Sequence, residues 1–385
     1  MIALFILPIY IIINIHLFNW FIFYLQNCFK FFENKKVKTT IKCLFLIALS
    51  IIYLSVIVPK GSMEHITKTF GNYHLGVLIY SLMMVFVLDI IRLISKKLKK
   101  EYSRKTIIIS GTICIVFLSG LIIYGINNAK DIRLTEYEVS INKNVQNVSN
   151  MNITLVADLH LGYNIGEKQI EKMVDMINKK NTDIVIIAGD IFDNDYDAIK
   201  NPEKIIDLLK SIKSKYGVYA VNGNHDIQDK TLMGFTFANQ EHIDNRMDEF
   251  LNKSNVKLLK DEYVIINGVC IYGRPDYKNH GEKERKTPQD IEKIIDKTMP
   301  IILIDHQPKE LVELSNFADL DLSGHTHDGQ FFPINFLYRF VWDNPCGLKK
   351  FNNMYSIVTS GVGLYGPNLR IGTHAEIVNI SVNFN

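Results

Sequence analysis

The first 125 residues hold four nearly unbroken apolar runs, roughly Ile2–Leu25, Ile41–Val58, His74–Ile94 and Thr106–Ile126. Each has about the length of a bilayer-crossing helix, roughly 20 residues. Buried helices of a water-soluble domain would show polar faces, and these runs do not. The first run lacks a basic leader and a small-residue cleavage site, so it reads as a retained span rather than a signal peptide. The pattern changes beyond Ile126. Met151–Ala157, Asp183–Ala188, Tyr216–Val221, Pro300–Ile304 and Ala318–Leu322 are short apolar runs that read as strands. Between them, Lys168–Lys180 and Glu203–Lys215 carry apolar residues at helical spacing, such as Ile170, Met173, Val174 and Ile177. Strands alternating with helices predict an α/β domain around a largely parallel sheet. Tyr355–Ser360 and Ala375–Val382 predict strands of a second sheet packed on the first, and Gln228–Phe250 predicts helix or loop near the site mouth.

These patterns divide the chain into a four-span transmembrane region at 1–126, a linker at 127–150 and a catalytic domain at 151–385. Charge supports the division. Residues 1–125 carry 14 Lys/Arg and 4 Asp/Glu; the rest carries 29 and 36, so a net charge of +3 conceals a basic and an acidic region. The acidic part lacks the basic footprint of a nucleic-acid binder, and none is expected as a partner. Lysines crowd the links 30–42 and 92–105, while only Lys60 and Lys68 lie between spans two and three. Basic loops stay cytoplasmic, which predicts a multi-pass cell-membrane protein with its catalytic domain on the extracytoplasmic side. Asp89 is the one acidic residue inside a predicted span; a local pair with Arg92 accounts for it. Asn14 and His16 in the first span have no evident partner. The five cysteines suggest no disulfide framework, although Cys270 and Cys346 could pair in an oxidising space.

The strand runs end in polar clusters: Asp158-Leu159-His160, Gly189-Asp190, Gly223-Asn224-His225-Asp226, Asp305-His306 and Gly324-His325-Thr326-His327. In parallel sheets ligands bind beyond the carboxyl ends of the strands, so all five point to one shared site. Carboxylate, amide and imidazole donors without thiolate suit divalent Mn, Fe or Zn. Asp190 is the natural bridge between two ions, because a carboxylate offers two oxygens. Water held by paired ions ionises near neutral pH and attacks phosphorus, so the set suits phosphoester hydrolysis. Each cluster alone is weak evidence; all five at strand ends, in this order, are hard to obtain by accident.

The combination D-x-H, GD-x-x-D, GNHD, a later His and GH-x-H resembles the calcineurin-like metallophosphoesterase superfamily from about Asn152 to Val382. DLHLG, GDIFD, GHTHDGQ and a late SGVG with Arg370 are similar to a bacterial membrane-associated branch that includes cell-surface phosphoesterases and lipid-linked UDP-sugar diphosphatases. The resemblance implies a four-layer αββα sandwich. It implies that Asp158, His160 and His327 hold one metal, that Asn224, His306 and His325 hold the other, and that Asp190 bridges. It assigns His225 to the leaving oxygen or the transferring phosphoryl group, with Asp193 orienting it. Ala157 departs from the Ser that many members carry; no metal position departs. Arg274, Arg370 and Lys309 are candidates for gripping a phosphate, and Asp226 and Asp328 for supporting the histidines.

The expected activity is hydrolysis of a phosphodiester, diphosphate or phosphomonoester, lipid-linked or envelope-derived, at the outer membrane face, with membrane lipids as further partners. The alternative is a non-catalytic membrane sensor or scaffold on the same fold. A transporter with an accessory domain fits poorly, since the spans show no pore lining. Substrate, metal identity and oligomeric state are not encoded legibly.

Overall fold

The computed structural model describes residues 2–54, 61–146, 148–227, 231–232, 235–236, 244–277 and 284–385. The chain forms two compact units: Met1–Ile126 with Thr231–Phe237 and Gly366–Asn368, and the remainder.

In the first unit the apolar runs form α1 (Ile2–Cys28), α2 (Lys35–Leu54), α3 (Ser62–Lys97) and α4 (Arg104–Asn128). Among the described residues three segments are long and apolar enough to cross a membrane: Leu7–Cys28, Met63–Lys97 and Arg104–Asn128. The expected second span is not among them. Helix α2 opens with Lys35, Lys36, Lys38 and Lys42, and the last residues of Ile41–Val58 lie outside the described residues. Asp89 also differs from expectation. Its carboxylate accepts from Trp20 Nε1 at 3.1 Å and meets His16 Nε2 at 2.9 Å. Arg92 instead lies over the Trp20 and Phe23 rings, each 5.9 Å from the centroid. The partner of Asp89 is therefore on α1, 73 residues away, rather than one turn along α3.

The second unit runs β1 (Ile132–Ile141), β2 (Asn150–Val156), α5 (Glu167–Asn178), β3 (Ile184–Ala188), α6 (Pro202–Lys210) and β4 (Val218–Val221). The short pair β5 (Thr231–Leu232) and β6 (Phe235–Thr236) belongs to the first unit and forms a separate ladder. Then follow α7 (Asn245–Lys253), β7 (Val256–Leu258), β8 (Glu262–Ile266), β9 (Val269–Gly273), α8 (Pro288–Ile294), β10 (Ile301–Ile304) and α9 (Leu311–Leu314). The last elements are β11 (Leu320–Ser323), α10 (Ile334–Tyr338), β12 (Gly347–Phe351), β13 (Met354–Val358) and β14 (Ala375–Phe384). Two six-stranded sheets result, ordered β1-β14-β2-β3-β4-β7 and β12-β13-β11-β10-β9-β8.

Alternation along each buried strand builds the layers. Ile184 and Ile186 of β3 face Ile302 and Ile304 of β10 across the space between the sheets. Val185 and Ile187 turn outward against Ile170, Met173, Val174 and Ile177 of α5 and against α6 and α7. Ile301 and Leu303 turn the other way, onto Ile291 of α8 and Leu311 and Leu314 of α9. Three apolar cores therefore separate four layers, αββα, because strands buried on both faces must be apolar throughout.

Two expectations do not match. Residues 127–150 are not merely a linker, since β1 pairs in parallel with β14 from Ile132↔Ala375 to Ile141↔Phe384. The strand at 375–384 belongs to the first sheet, antiparallel to β2, and only the strand at 354–358 joins the second. Of Gln228–Phe250, the end from Asn245 onward is helical, while 228–230, 233–234 and 237–243 lie outside the described residues. Cys270 and Cys346 are free thiols.

Strand β11 buries Asp321 completely. One carboxylate oxygen accepts from Ser323 and Ser356 hydroxyls at 3.0 and 2.9 Å; the other has no hydrogen-bond partner. Burial, reinforced by Asp305, pushes the carboxyl up to about 7 against the two serine donors. Between about pH 4 and 7 the folded chain therefore keeps a proton that the unfolded chain has released. Stability should fall as pH rises through that window, by at most on the order of 4 kcal/mol. Asp321→Asn should flatten that slope in urea titrations of the detergent-solubilised chain at pH 5 and 8.

Candidate metal centre

The carboxyl ends of β2, β3 and β4 in one sheet, and of β10 and β11 in the other, converge on one buried pocket. Asp158 follows β2, Asp190 follows β3, Asn224 and His225 follow β4, His306 follows β10, and His325 and His327 follow β11. Three groups offer one donor atom each within 4.8 Å of one another: Asp158–His160–His327, Asp190–His306–His325 and His160–Asp193–His225. The backbone is bent to bring them in. Asp158, His160, Asp190, His325 and His327 take φ of 54°, 47°, 50°, 71° and 50°. Left-handed backbone costs a non-glycine residue about 1–3 kcal/mol, and such positions gather at functional sites.

Glycines make the approach possible. A Cβ on Gly223 would lie 2.2 Å from Asp190 Oδ1 and 2.3 Å from its backbone nitrogen. One on Gly324 would lie 2.5 Å from Asp158 Oδ2, and one on Gly361 would lie 2.7 Å from Asp158 Cβ. No side chain fits in these gaps, so the carboxylates sit directly against backbone.

The donor atoms fit cations. His306 Nδ1 lies 2.9 Å from the Ala188 carbonyl, which can only accept, so Nδ1 carries a proton and Nε2 is the nitrogen turned to the centre. That nitrogen faces Asp190 Oδ2 at 3.1 Å, His325 Nδ1 at 3.1 Å and Asn224 Oδ1 at 3.2 Å. On the other side His327 Nε2 lies 3.1 Å from both Asp158 Oδ1 and His160 Nε2. Two buried carboxylates and so many ligand atoms crowded into a dry pocket are costly unless positive charge sits among them.

Titration behaviour points the same way. Burial alone would raise the Asp190 carboxyl, yet His306 and His225 hold it well below its ordinary value. Burial would lower the His306 imidazole, yet Asp190 and Asp158 drive it well above its ordinary value. Burial and the neighbouring His306 ring push His325 down to about 3. Burial also takes His327 down to about 4 against the pull of Asp158, leaving both rings neutral, the form that binds metal. Nitrogen and oxygen donors without sulfur match the borderline-hard divalent ions expected from the sequence.

His225 stands at the mouth with its side chain 15% exposed, while its backbone N–H donates to Asp190 Oδ1 at 2.7 Å. The closest polar partner of its Nδ1 is Asn194 Oδ1. Asp193 Oδ1, expected to orient it, lies 3.7 Å from that nitrogen and 3.4 Å from His160 Nδ1, beyond a good hydrogen bond to either. Asn194 was not singled out from sequence, although it directly follows the GD-x-x-D cluster.

The other polar candidates do structural work. Fully buried Arg370 donates to the carbonyls of Ser360, Gly361, Gly363 and His374, which fixes the glycine loop beneath Asp158. Arg274, also fully buried, is taken up by Asp305 and Glu310, to which Arg285 also binds. Neither guanidinium is free for phosphate. Asp226 accepts from the backbone N–H groups of Phe192 and Gly223 at 2.8 and 2.7 Å rather than from a histidine. Asp328 accompanies no metal-site histidine either: its N–H donates to Thr326 Oγ1. Lys309 stays at the rim, with Nζ over the Tyr277 and Trp342 rings. Two aromatic rings unmarked by sequence close the pocket: Trp342 against His325 at 5.3 Å and Tyr365 against His327 at 4.8 Å between centroids.

Residues 151–329 match the family described as calcineurin-like phosphoesterase. A metallophosphoesterase of Campylobacter jejuni, uncharacterised by name, is 31% identical over 70% of this chain and 68% of its own length. A Danio rerio relative, named a transmembrane protein with metallophosphoesterase domain, is 28% identical over 80% of this chain and 71% of its own. A Helicobacter pylori relative, an uncharacterised metallophosphoesterase, is 32% identical over 59% of this chain and 58% of its own. The chain belongs to the calcineurin-like phosphoesterase family.

Gly223→Ala should weaken Mn²⁺ binding by about 10–100-fold in calorimetric titration, the range for disturbed metal-ligand supports. Far-ultraviolet dichroism should remain unchanged, because the added methyl meets Asp190 rather than a core.

Proposed function

We propose that the chain hydrolyses phosphoesters with two divalent ions (Mn, Fe or Zn). Asp158, His160 and His327 would hold one ion; Asn224, His306 and His325 would hold the other, with Asp190 between them. The observation that carries this reading is the convergence of carboxylate, amide and imidazole ligand atoms within 3.2 Å of His306 Nε2 and within 3.1 Å of His327 Nε2. When bound, such a pair of ions activates water and neutralises the charge that builds on phosphate oxygens.

The protein's own groups do the rest. Gly223, Gly324 and Gly361 let the carboxylates press inward, so the donors are fixed before substrate arrives. The burial of Asp158, Asp190 and His327 excludes bulk water and strengthens each electrostatic contact. His225 is the half-open ring next to these donors, suited to giving a proton to the leaving oxygen or a hydrogen bond to the phosphoryl group. Asn194 Oδ1 at its Nδ1 directs Nε2 to that task. Asp193, between His160 and His225, supplies negative charge to both rings.

The substrate is a phosphodiester, a diphosphate or a phosphomonoester, and the apolar helices favour an ester carried by lipid or envelope. The extracytoplasmic placement rests on the basic segments 30–42 and 92–105 and requires Ile41–Val58 to cross the membrane. The sensor or scaffold reading has less support, because every ligand position carries a competent side chain.

The test uses the purified full-length chain in detergent, stripped of metal and reloaded with Mn²⁺. Bis(p-nitrophenyl) phosphate and p-nitrophenyl phosphate serve as substrates. Asp190→Asn should lose metal and about 10²-fold or more in kcat. His225→Asn should keep metal and lose about 10²–10⁴-fold, the span of general acid catalysis. Two bound ions without turnover of either ester would favour the scaffold, and failure to bind metal would remove the centre altogether.

A further inference from the structure

Between the site and β12 the chain exposes a run of large apolar side chains. Phe332, Phe336, Leu337, Phe340, Val341 and Leu348 are all exposed, Phe340 by 76% and Val341 by 71%. Phe332 precedes α10, Phe336 and Leu337 lie on it, Phe340 and Val341 follow it and Leu348 is in β12; Phe336 stacks edge-on against Phe340 at 5.3 Å. Soluble surfaces rarely gather such side chains without a partner.

Three features of the chain identify the partner's chemistry. The same chain carries helices able to cross a membrane. Only Ala129, Lys130 and Asp131 separate α4 from β1, so the catalytic unit is joined to a candidate membrane span by a link of three residues. The apolar run is also set among cations, Lys309, Arg339, Lys349 and Lys350, with Trp342 and Tyr338 between. Apolar residues flanked by aromatic rings and basic groups are the composition of segments that rest in the headgroup layer.

The patch is continuous with the site. The Trp342 ring packs on His325, Lys309 lies over Trp342, and a cavity of about 540 Å³ lined by Arg339, Phe340, Trp342 and Leu348 reaches Asp328, next to His327. We propose that α10 and the loop through Val341 seat in the lipid leaflet, so that the site draws phosphoesters of membrane lipids from the bilayer, headgroup inward and acyl chains along the patch. The membrane contact stands on the patch itself; the substrate class rests on the phosphoesterase reading above.

The chain has two tryptophans, Trp20 and Trp342. In a Trp20→Phe background Trp342 therefore reports alone. Reconstituted in phosphatidylcholine vesicles with brominated acyl chains, its emission should fall by about half against plain vesicles, as for an interfacial residue. Phe336→Ser/Phe340→Ser should restore it. In the same vesicles the double variant should lose at least about tenfold in hydrolysis of dioleoyl phosphatidyl-p-nitrophenol while keeping turnover of dissolved bis(p-nitrophenyl) phosphate. Equal emission in brominated and plain vesicles would overturn the proposal, as would a Phe340-dependent dimer that covers the patch instead. Quenching without turnover of either ester would uphold the membrane seat and sink the phosphoesterase reading, so the two failures are distinct.

Discussion

Two carboxylates, Asp158 and Asp190, are buried together in the middle of this fold, and the charge on Asp190 raises the proton affinity of Asp158. Charges of one sign cannot be removed from water side by side unless opposite charge is supplied close by. The surrounding structure supplies or anticipates it. His306 is pushed toward its cationic form, other rings direct lone pairs inward, and backbone N–H groups of His225 and His325 donate to the two carboxylates. The pocket is thus an electrostatic conflict held in place by packing.

Packing can hold it because of where the sheets end. Parallel strands deliver their carboxyl ends to one edge, and two such sheets face to face deliver both sets to one seam. The apolar seam core of Ile153, Ile186, Ile302 and Leu322 fixes the distance between the sheets. Missing Cβ atoms at Gly223, Gly324 and Gly361 then set how far the charged groups advance beyond it. Arg370 completes the support from below by gathering loop carbonyls around Asp158.

The strand ends were legible because strands buried on both faces must be apolar, and a polar cluster at the end of each then stands out. Ile184–Ala188 is the clearest example. Pairings between distant segments were not legible. Strand β1 alternates apolar and polar residues as an edge strand does, but its partner lies at the other end of the chain. The assignment of Ala375–Phe384 to the first sheet depends on its pairing with β2 and β1, both far away in the sequence. The same reason hid the His16–Asp89 contact. Asn194 was obscured differently: next to a chain of aspartates, its amide looks like an ordinary turn residue. Arg274 and Arg370 were read as phosphate-grippers because sequence cannot tell a buried arginine from an exposed one.

The parallel ladder that joins Ile132 to Ala375 and Ile141 to Phe384 also orders events during synthesis. The segment after α4 leaves the ribosome early, yet its sheet neighbour among the described residues is β14, made more than 200 residues later. Until β14 emerges, β2 too lacks one of its two flanking strands. Its inner face, with Ile153 and Leu155, stays open while α4 is already committed to its environment. Closing so long a loop is slow and exposes apolar edges in the interval. A nascent chain that stops before Ala375 would therefore be anchored yet unable to complete its first sheet.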